Sequence, residues 1–185
     1  MHTLPWQFTR IALVAATMLA STLASTEAIA QVSSGKPRVT SKQYARDSAE
    51  IMSTIVGETA AFYNKDFNAW ASRWVHAPYV RVVGWWPKGG VTVREGWDVV
   101  SGEVRQLMKE SPNPNPTANQ VRRENINMQI RGNVAWLTWD EYGLNTGDSN
   151  MDMPGLTRST RVLEKRDGKW RIAYVGWLLQ GSNKN

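Results

Sequence analysis

The sequence has 185 residues, ten of them tryptophan, no cysteine and a formal net charge of +6. Without cysteine there is no disulfide, thiolate metal centre or thiol nucleophile, so packing alone must hold the fold. The basic residues are spread through mixed-sign stretches rather than gathered in runs, which describes a solvated surface and argues against nucleic-acid binding.

Arg10 precedes an apolar run over residues 11–24, and small residues then lead to Ala28-Ile29-Ala30. A positive start, an apolar centre and an A-x-A site are the order of a secretory signal. Residues 1–30 are therefore expected to be removed on export, leaving a periplasmic or secreted protein. The run is shorter than the ~20 residues a membrane-spanning helix requires, so no membrane contact is expected after cleavage. Residues 31–42, rich in Ser, Lys, Pro, Gly and Thr without a period, read as a disordered lead-in to a domain over 43–182.

A first helix over 42–64 carries Ile51, Met52, Ile55, Val56, Thr59, Phe62 and Tyr63 on one broad stripe. Asp66 caps a short second helix in which Phe67, Trp70 and Trp74 recur at helical spacing, and Ala77-Pro78 ends it. Residues 79–86 read as a strand, 87–90 as a turn, and 94–110 as a third helix with Trp97, Val100, Val104 and Leu107 on one side. The loop 111–117 alternates proline with asparagine. After it the period changes to two. Gly132-Asn133 joins the alternating stretches 125–131 and 134–142, and Asp167-Gly168 joins 156–166 and 169–180, so both pairs are expected to be tight hairpins. Residues 145–154 form the loop between them. Helices first and antiparallel hairpins after make an α+β domain.

Carrying each ladder outward from its turn assigns faces. In the first hairpin Ile126, Met128, Ile130, Ala135, Leu137 and Trp139 share the interior face, with Glu141 at its far end and Trp136 opposite. In the second, Leu163, Trp170, Ile172, Arg161 and Tyr174 share one face, and Thr160, Val162, Ala173, Val175 and Trp177 share the other. Both faces are partly apolar, so a second copy of the chain is expected to cover the outer one.

Four segments carry a family resemblance: Asn64-Lys65-Asp66-Phe67-Asn68-Ala69-Trp70 after the first helix, Pro78-Tyr79-Val80 at the first strand, Arg94-Glu95-Gly96-Trp97 at the third helix, and Arg161-Val162-Leu163-Glu164-Lys165-Arg166-Asp167-Gly168-Lys169-Trp170-Arg171-Ile172 near the end. Through them the chain, over about 48–179, resembles the NTF2-like superfamily in its SnoaL-like or DUF4440-like branch. The resemblance implies a cone built of a curved antiparallel sheet with about three N-terminal helices on its concave face, an internal pocket, and a homodimer through the outer sheet face. None of the four segments is a catalytic signature, and this fold hosts many functions. The carboxylate base of ketosteroid-isomerase-like members would fall at Val82 and their oxyanion tyrosine near Glu58. The histidines of other relatives fall at Tyr174 and Gly176, so the isomerase mechanism does not carry over.

The candidate site residues follow from the faces. Arg161, Glu141 and Tyr174 all point inward in this register, and an inward arginine needs a carboxylate or an anionic ligand. Glu141 either pairs with Arg161 structurally or yields it to a substrate carboxylate. Glu58 sits at the edge of the first helix's stripe, where it is either exposed or a desolvated general acid or base. His76, the only histidine after the signal, is a helix-terminal cation or a catalytic group. Tyr63, Trp86 and Trp139 join Glu141, Arg161 and Tyr174 as expected pocket residues, with core packing as the alternative for the rings. One histidine among scattered carboxylates is no metal site, and no cofactor motif is present. The expected function is an exported domain binding a small, partly apolar molecule. The alternative is a non-metal isomerase, dehydratase or hydrolase of a polyketide-, steroid- or lactone-like substrate, with Glu58, His76 or Glu141 as acid or base.

Overall fold

The computed structural model describes residues 40–86, 90–115, 121–142 and 156–179. The export segment at 1–30, the turn at 87–89 and the loop at 145–154 lie outside the described residues. Helix α1 (Ser41–Tyr63) starts where Thr40 accepts a hydrogen bond from Gln43 N at 3.2 Å. Residues 40–42, expected in the lead-in, thus form its cap and first turn. Lys65, at φ 62°, turns the chain into α2 (Phe67–Ala71), which Asp66 caps by accepting from Ala69 N at 2.9 Å.

The expected strand is β1 (Arg81–Trp86). It is joined by β2 (Gly90–Glu95), which takes in the last residue of the expected turn, the first two of the expected third helix and the unassigned residues 91–93 between them. The alternation Val91-Thr92-Val93-Arg94 was too short to stand out, and only pairing with β1 fixes it as a strand. Helix α3 (Trp97–Glu110) therefore begins later, after Gly96 at φ 85°, a conformation that glycine adopts without cost. Strands β3 (Arg122–Arg131), β4 (Val134–Tyr142), β5 (Leu156–Arg166) and β6 (Lys169–Leu179) follow. The sheet is curved and unclosed, in the order β2-β1-β6-β5-β4-β3, and antiparallel except where β1 runs parallel to β6. Ile51 and Ile55 of α1 meet Leu137, Leu163 and Ile172 of the sheet in a core where all five are 0 % exposed.

Near their turns both hairpins keep the expected register. Arg131 opposes Val134, Ile130 opposes Ala135 and Met128 opposes Leu137; Arg166 opposes Lys169 and Leu163 opposes Ile172. Farther out each hairpin has a β-bulge. On β3 it falls between Glu124 and Asn127, where Asn125 sits at φ 53°. On β6 the extra residue is Ala173, so Val162 opposes Tyr174 and Arg161 opposes Val175. One extra residue exchanges the two faces of everything beyond it. Ile126, expected inside, is 43 % exposed. Arg123 turns inward opposite Glu141. Tyr174, expected inside, lies on the outer face with its ring against Gly176 and beside Val162. Val175 and Trp177, expected outside, face the helices.

The β6 bulge sits where that strand changes neighbours. Ile172 donates to Arg73 O and accepts from Val75 N, each at 2.8 Å, whereas from Tyr174 onward β6 pairs with β1. The extra residue lets one strand serve two partners in succession.

Candidate functional site

The C-terminal half of α1, the inner face of α3 and the concave side of the sheet line a half-open cavity of about 530 Å³. Its walls are largely apolar: Phe62 and Tyr63 from α1, Trp70 and Trp74 from and after α2, Val104 and Leu107 from α3, and Trp177 from β6. Polar side chains mark the rim, where Arg94 of β2 forms an ion pair with Glu103 of α3. The floor holds charge. Glu141 of β4, Arg161 of β5 and Glu58 of α1 line it, with Arg123 of β3 behind.

Glu141 is 4 % exposed, and its Oε2 serves two donors. Trp139 Nε1 donates to it at 2.9 Å. Arg123 Nε lies 3.1 Å from the same oxygen, an ion pair whose angle falls outside hydrogen-bond geometry. Arg123 also donates from Nη2 to Thr59 Oγ1 at 2.8 Å, tying β3 and β4 to α1. Thr59 in turn donates to Ile55 O within its own helix.

Arg161 shares this floor but not this carboxylate. It is 6 % exposed, and among the described residues it forms no ion pair and one hydrogen bond, Nη1 to Thr160 O at 3.0 Å; its Nε has no partner. Its guanidinium carbon lies 5.0 Å from the Trp139 ring centroid, within cation–π range. Burial pulls its pKa down, and the charges of Glu141 and Glu58 oppose that. Glu58 accepts from Trp70 Nε1 at 2.7 Å. Glu58 as a residue is half-buried, and it lines the cavity. Burial raises its pKa above the usual glutamate value, against the Arg161 charge and the Trp70 bond, which both lower it. A neutral carboxylic acid facing an apolar space can donate a hydrogen bond or pass a proton.

The expected site residues separate into groups. Tyr63, Glu58, Glu141 and Arg161 come together on the cavity wall. Trp139 lies just behind it, 2 % exposed, beneath both guanidinium groups. Tyr174 is removed from the cavity by the Ala173 bulge. The side chain of Trp86 lies outside the described residues. His76 is exposed and away from the cavity lining. Its ring stacks on Trp97 with centroids 3.9 Å apart, and its Nε2 is 2.9 Å from the carbonyl of Ala71, the last residue of α2. Val82 does face the cavity, so the place of the related isomerases' base holds a valine. Sequence reasoning missed Arg123, which only the β3 bulge turns inward. The available signal was Asn125, a residue tolerant of positive φ inside a strand pattern.

A model of the SnoaL-like domain family matches residues 51–176. No curated protein matches the chain. Among solved structures, an NTF2-like protein of unknown function from Pseudomonas putida is 13 % identical, covering 76 % of this chain and 91 % of its own, with a TM-score of 0.57. A candidate dehydratase of the NTF2-like family from Streptomyces avermitilis is 17 % identical over 75 % of this chain and 99 % of its own, with a TM-score of 0.56. A candidate ketosteroid isomerase from Parabacteroides distasonis is 19 % identical over 71 % and 86 %, with a TM-score of 0.50. At these identities the likeness is one of fold.

Two outcomes test the floor's electrostatics. Glu141→Gln strands the buried Arg123 without its contacting carboxylate and should cost about 3–5 kcal/mol in urea denaturation; a loss below about 1 kcal/mol would mean the pair is solvated. The raised pKa of Glu58 makes the unfolded chain release its proton first. Stability should therefore fall as pH rises from the usual glutamate range through the raised native value. Melting curves of Glu58→Gln should lack that decline; an identical pH profile in both proteins refutes the desolvated acid.

Proposed function

The chain belongs to the SnoaL-like domain family, and from that premise we propose that it binds a small, partly apolar organic molecule in the cavity between α1, α3 and the sheet. The observation that carries this reading is the cavity itself: about 530 Å³ of space with aromatic and aliphatic walls over a floor of buried charge. That volume and that mixture of an apolar lining with a few convergent polar groups are usual for small-molecule sites. A neutral probe, 2-naphthalenemethanol, should quench tryptophan emission saturably at one site per chain. Leu107→Trp, which fills the cavity from α3, should weaken that binding at least about tenfold while leaving the circular dichroism spectrum intact. Equal binding by the plugged variant would place the probe elsewhere and count against the reading.

Glu58 supports a second reading, acid–base turnover by an isomerase, dehydratase or hydrolase of a polyketide-, steroid- or lactone-like substrate. Among the three candidates it is the cavity-lining acid outside any ion pair, since Glu141 is committed to Arg123 and His76 lies away from the lining. The relatives described as a candidate dehydratase and a candidate ketosteroid isomerase fit this chemistry in kind. Val82 argues against the related isomerases' own mechanism, so any proton transfer here would run through Glu58.

We also propose that residues 1–30 direct export to the periplasm or medium, and that two chains pair through the outer sheet face. Trp136 is 42 % exposed there, with Val93 at 48 % and Leu178 at 56 %, an apolar spread that pairing would cover. Native mass spectrometry of the mature protein reads both proposals. A chain beginning at Gln31 and a dimer that Trp136→Glu dissociates are expected; an intact leader or a monomeric wild type refutes the corresponding proposal.

A further inference from the structure

We infer that the ligand of this cavity is a monocarboxylic acid, its carboxylate docked on Arg161 and its apolar body laid against Phe62, Trp70, Trp74 and Trp177. The inference rests on the small-molecule reading above and narrows it by charge. Arg161 is a buried cation on the cavity wall with no ion pair among the described residues. A buried charge needs a counter-charge, and a buried arginine without one is costly. Glu141, on the same inner face, is engaged by Arg123 and Trp139 at a single oxygen. Glu58 has its Oε1 on Trp70 and makes no ion pair with Arg161. Arg161 lines the cavity, and with one Nη1 hydrogen on Thr160 O and Nε buried, its terminal nitrogens still hold donors for a carboxylate. Trp139 backs the guanidinium fork at 5.0 Å and limits how the plane can turn.

The balance of charge favours one negative charge over two. Arg123 and Glu141 cancel. Arg161 then remains as the charge on the floor without a contacting counter-ion, and the burial of Glu58 works against a second negative charge there. A monoanion closes that balance. A phosphate dianion would leave a negative charge uncompensated beside Glu141.

Isothermal titration of the whole mature protein with 2-naphthoate, 2-naphthalenemethanol and 2-naphthyl phosphate tests this directly. The acid should bind at least about tenfold more tightly than the alcohol, the scale of a charge-assisted hydrogen bond. It should also exceed the phosphate. Arg161→Gln should abolish the preference for the acid while retaining the alcohol. A wild type that binds acid and alcohol equally, or a preference that survives Arg161→Gln, overturns the inference and leaves the cavity reading standing. Phosphate binding as tight as the acid overturns the single-charge argument. Binding of none of the three overturns both readings. If Arg161→Gln fails to fold, the wild-type ratio of acid to alcohol decides, with Arg161→Lys expected to retain only part of it because the fork is lost.

Discussion

Glu141 has one negative charge and two buried guanidinium groups near it, and it takes Arg123. Everything distinctive about the cavity depends on that choice. The pair crosses from β4 to β3, and Arg123 continues to Thr59 on α1, so one ionic contact pins two strands to the helix that forms the cavity's wall. A buried pair of this kind returns little net stability, because desolvation consumes most of its attraction. Its effect is positional. It holds the end of α1 against the sheet and leaves Arg161 facing open space.

The opposite end of α1 shows what a purely structural cluster looks like in the same molecule. Asp47, 5 % exposed, accepts from Lys165 Nζ at 2.6 Å, Gln43 Nε2 at 2.9 Å and Trp170 Nε1 at 3.1 Å. Burial alone would raise its pKa, but these partners together hold it below the usual aspartate value. Each partner comes from α1 itself or the β5–β6 hairpin, so the cluster clamps the start of the helix to the turn end of that hairpin. There the carboxylate has three donors and a contacting cation. At Arg161 a charge of equal burial has one carbonyl. That contrast within one chain is what the proposed carboxylate site at Arg161 rests on.

The hairpin turns were legible in the sequence because two-residue turns have narrow chemistry: Gly132 stands at φ 58°, and Asp167 and Gly168 at φ 51° and 73°. They fixed the register of Ile130, Leu137, Leu163 and Ile172, and with it the core, and Arg161 and Glu141 fell on the inner face as the alternation required. The α+β class followed from the change of period. What alternation cannot carry is a bulge, which adds a residue without altering the apolar pattern around it. Ala173 is small enough to sit on either face, so nothing in its neighbourhood distinguished Tyr174 from Val175 as the inward residue. Only the exchange of β6's partner from the segment around Trp74 to β1 requires the extra residue, and that is a tertiary fact. The same limit hid Arg123. On a regular ladder it is an outer-face charge; one residue of slip makes it the counter-ion of the cavity floor.

The excess of tryptophan has a cause beyond bulk. Each of the three carboxylates that α1 and the sheet bury most usefully receives an indole N–H: Glu58 from Trp70, Glu141 from Trp139 and Asp47 from Trp170. An indole satisfies an acceptor while presenting an apolar face to the core, and it does so without adding charge. A lysine in its place would neutralise the carboxylate and carry a hydrated head into the interior. The distinction matters most at Glu58. Burial raises its pKa, and the indole hydrogen bond and the Arg161 charge oppose that without outweighing it. Trp70 also stacks on Trp97, with centroids 5.7 Å apart, and Trp97 on exposed His76, so the indole that holds Glu58 is itself held from the surface side. The rings that build the apolar wall therefore also set the electrostatics of its floor. In the proposed site, a carboxylate ligand that displaces water from those rings would strengthen the pull of Arg161 on its charge.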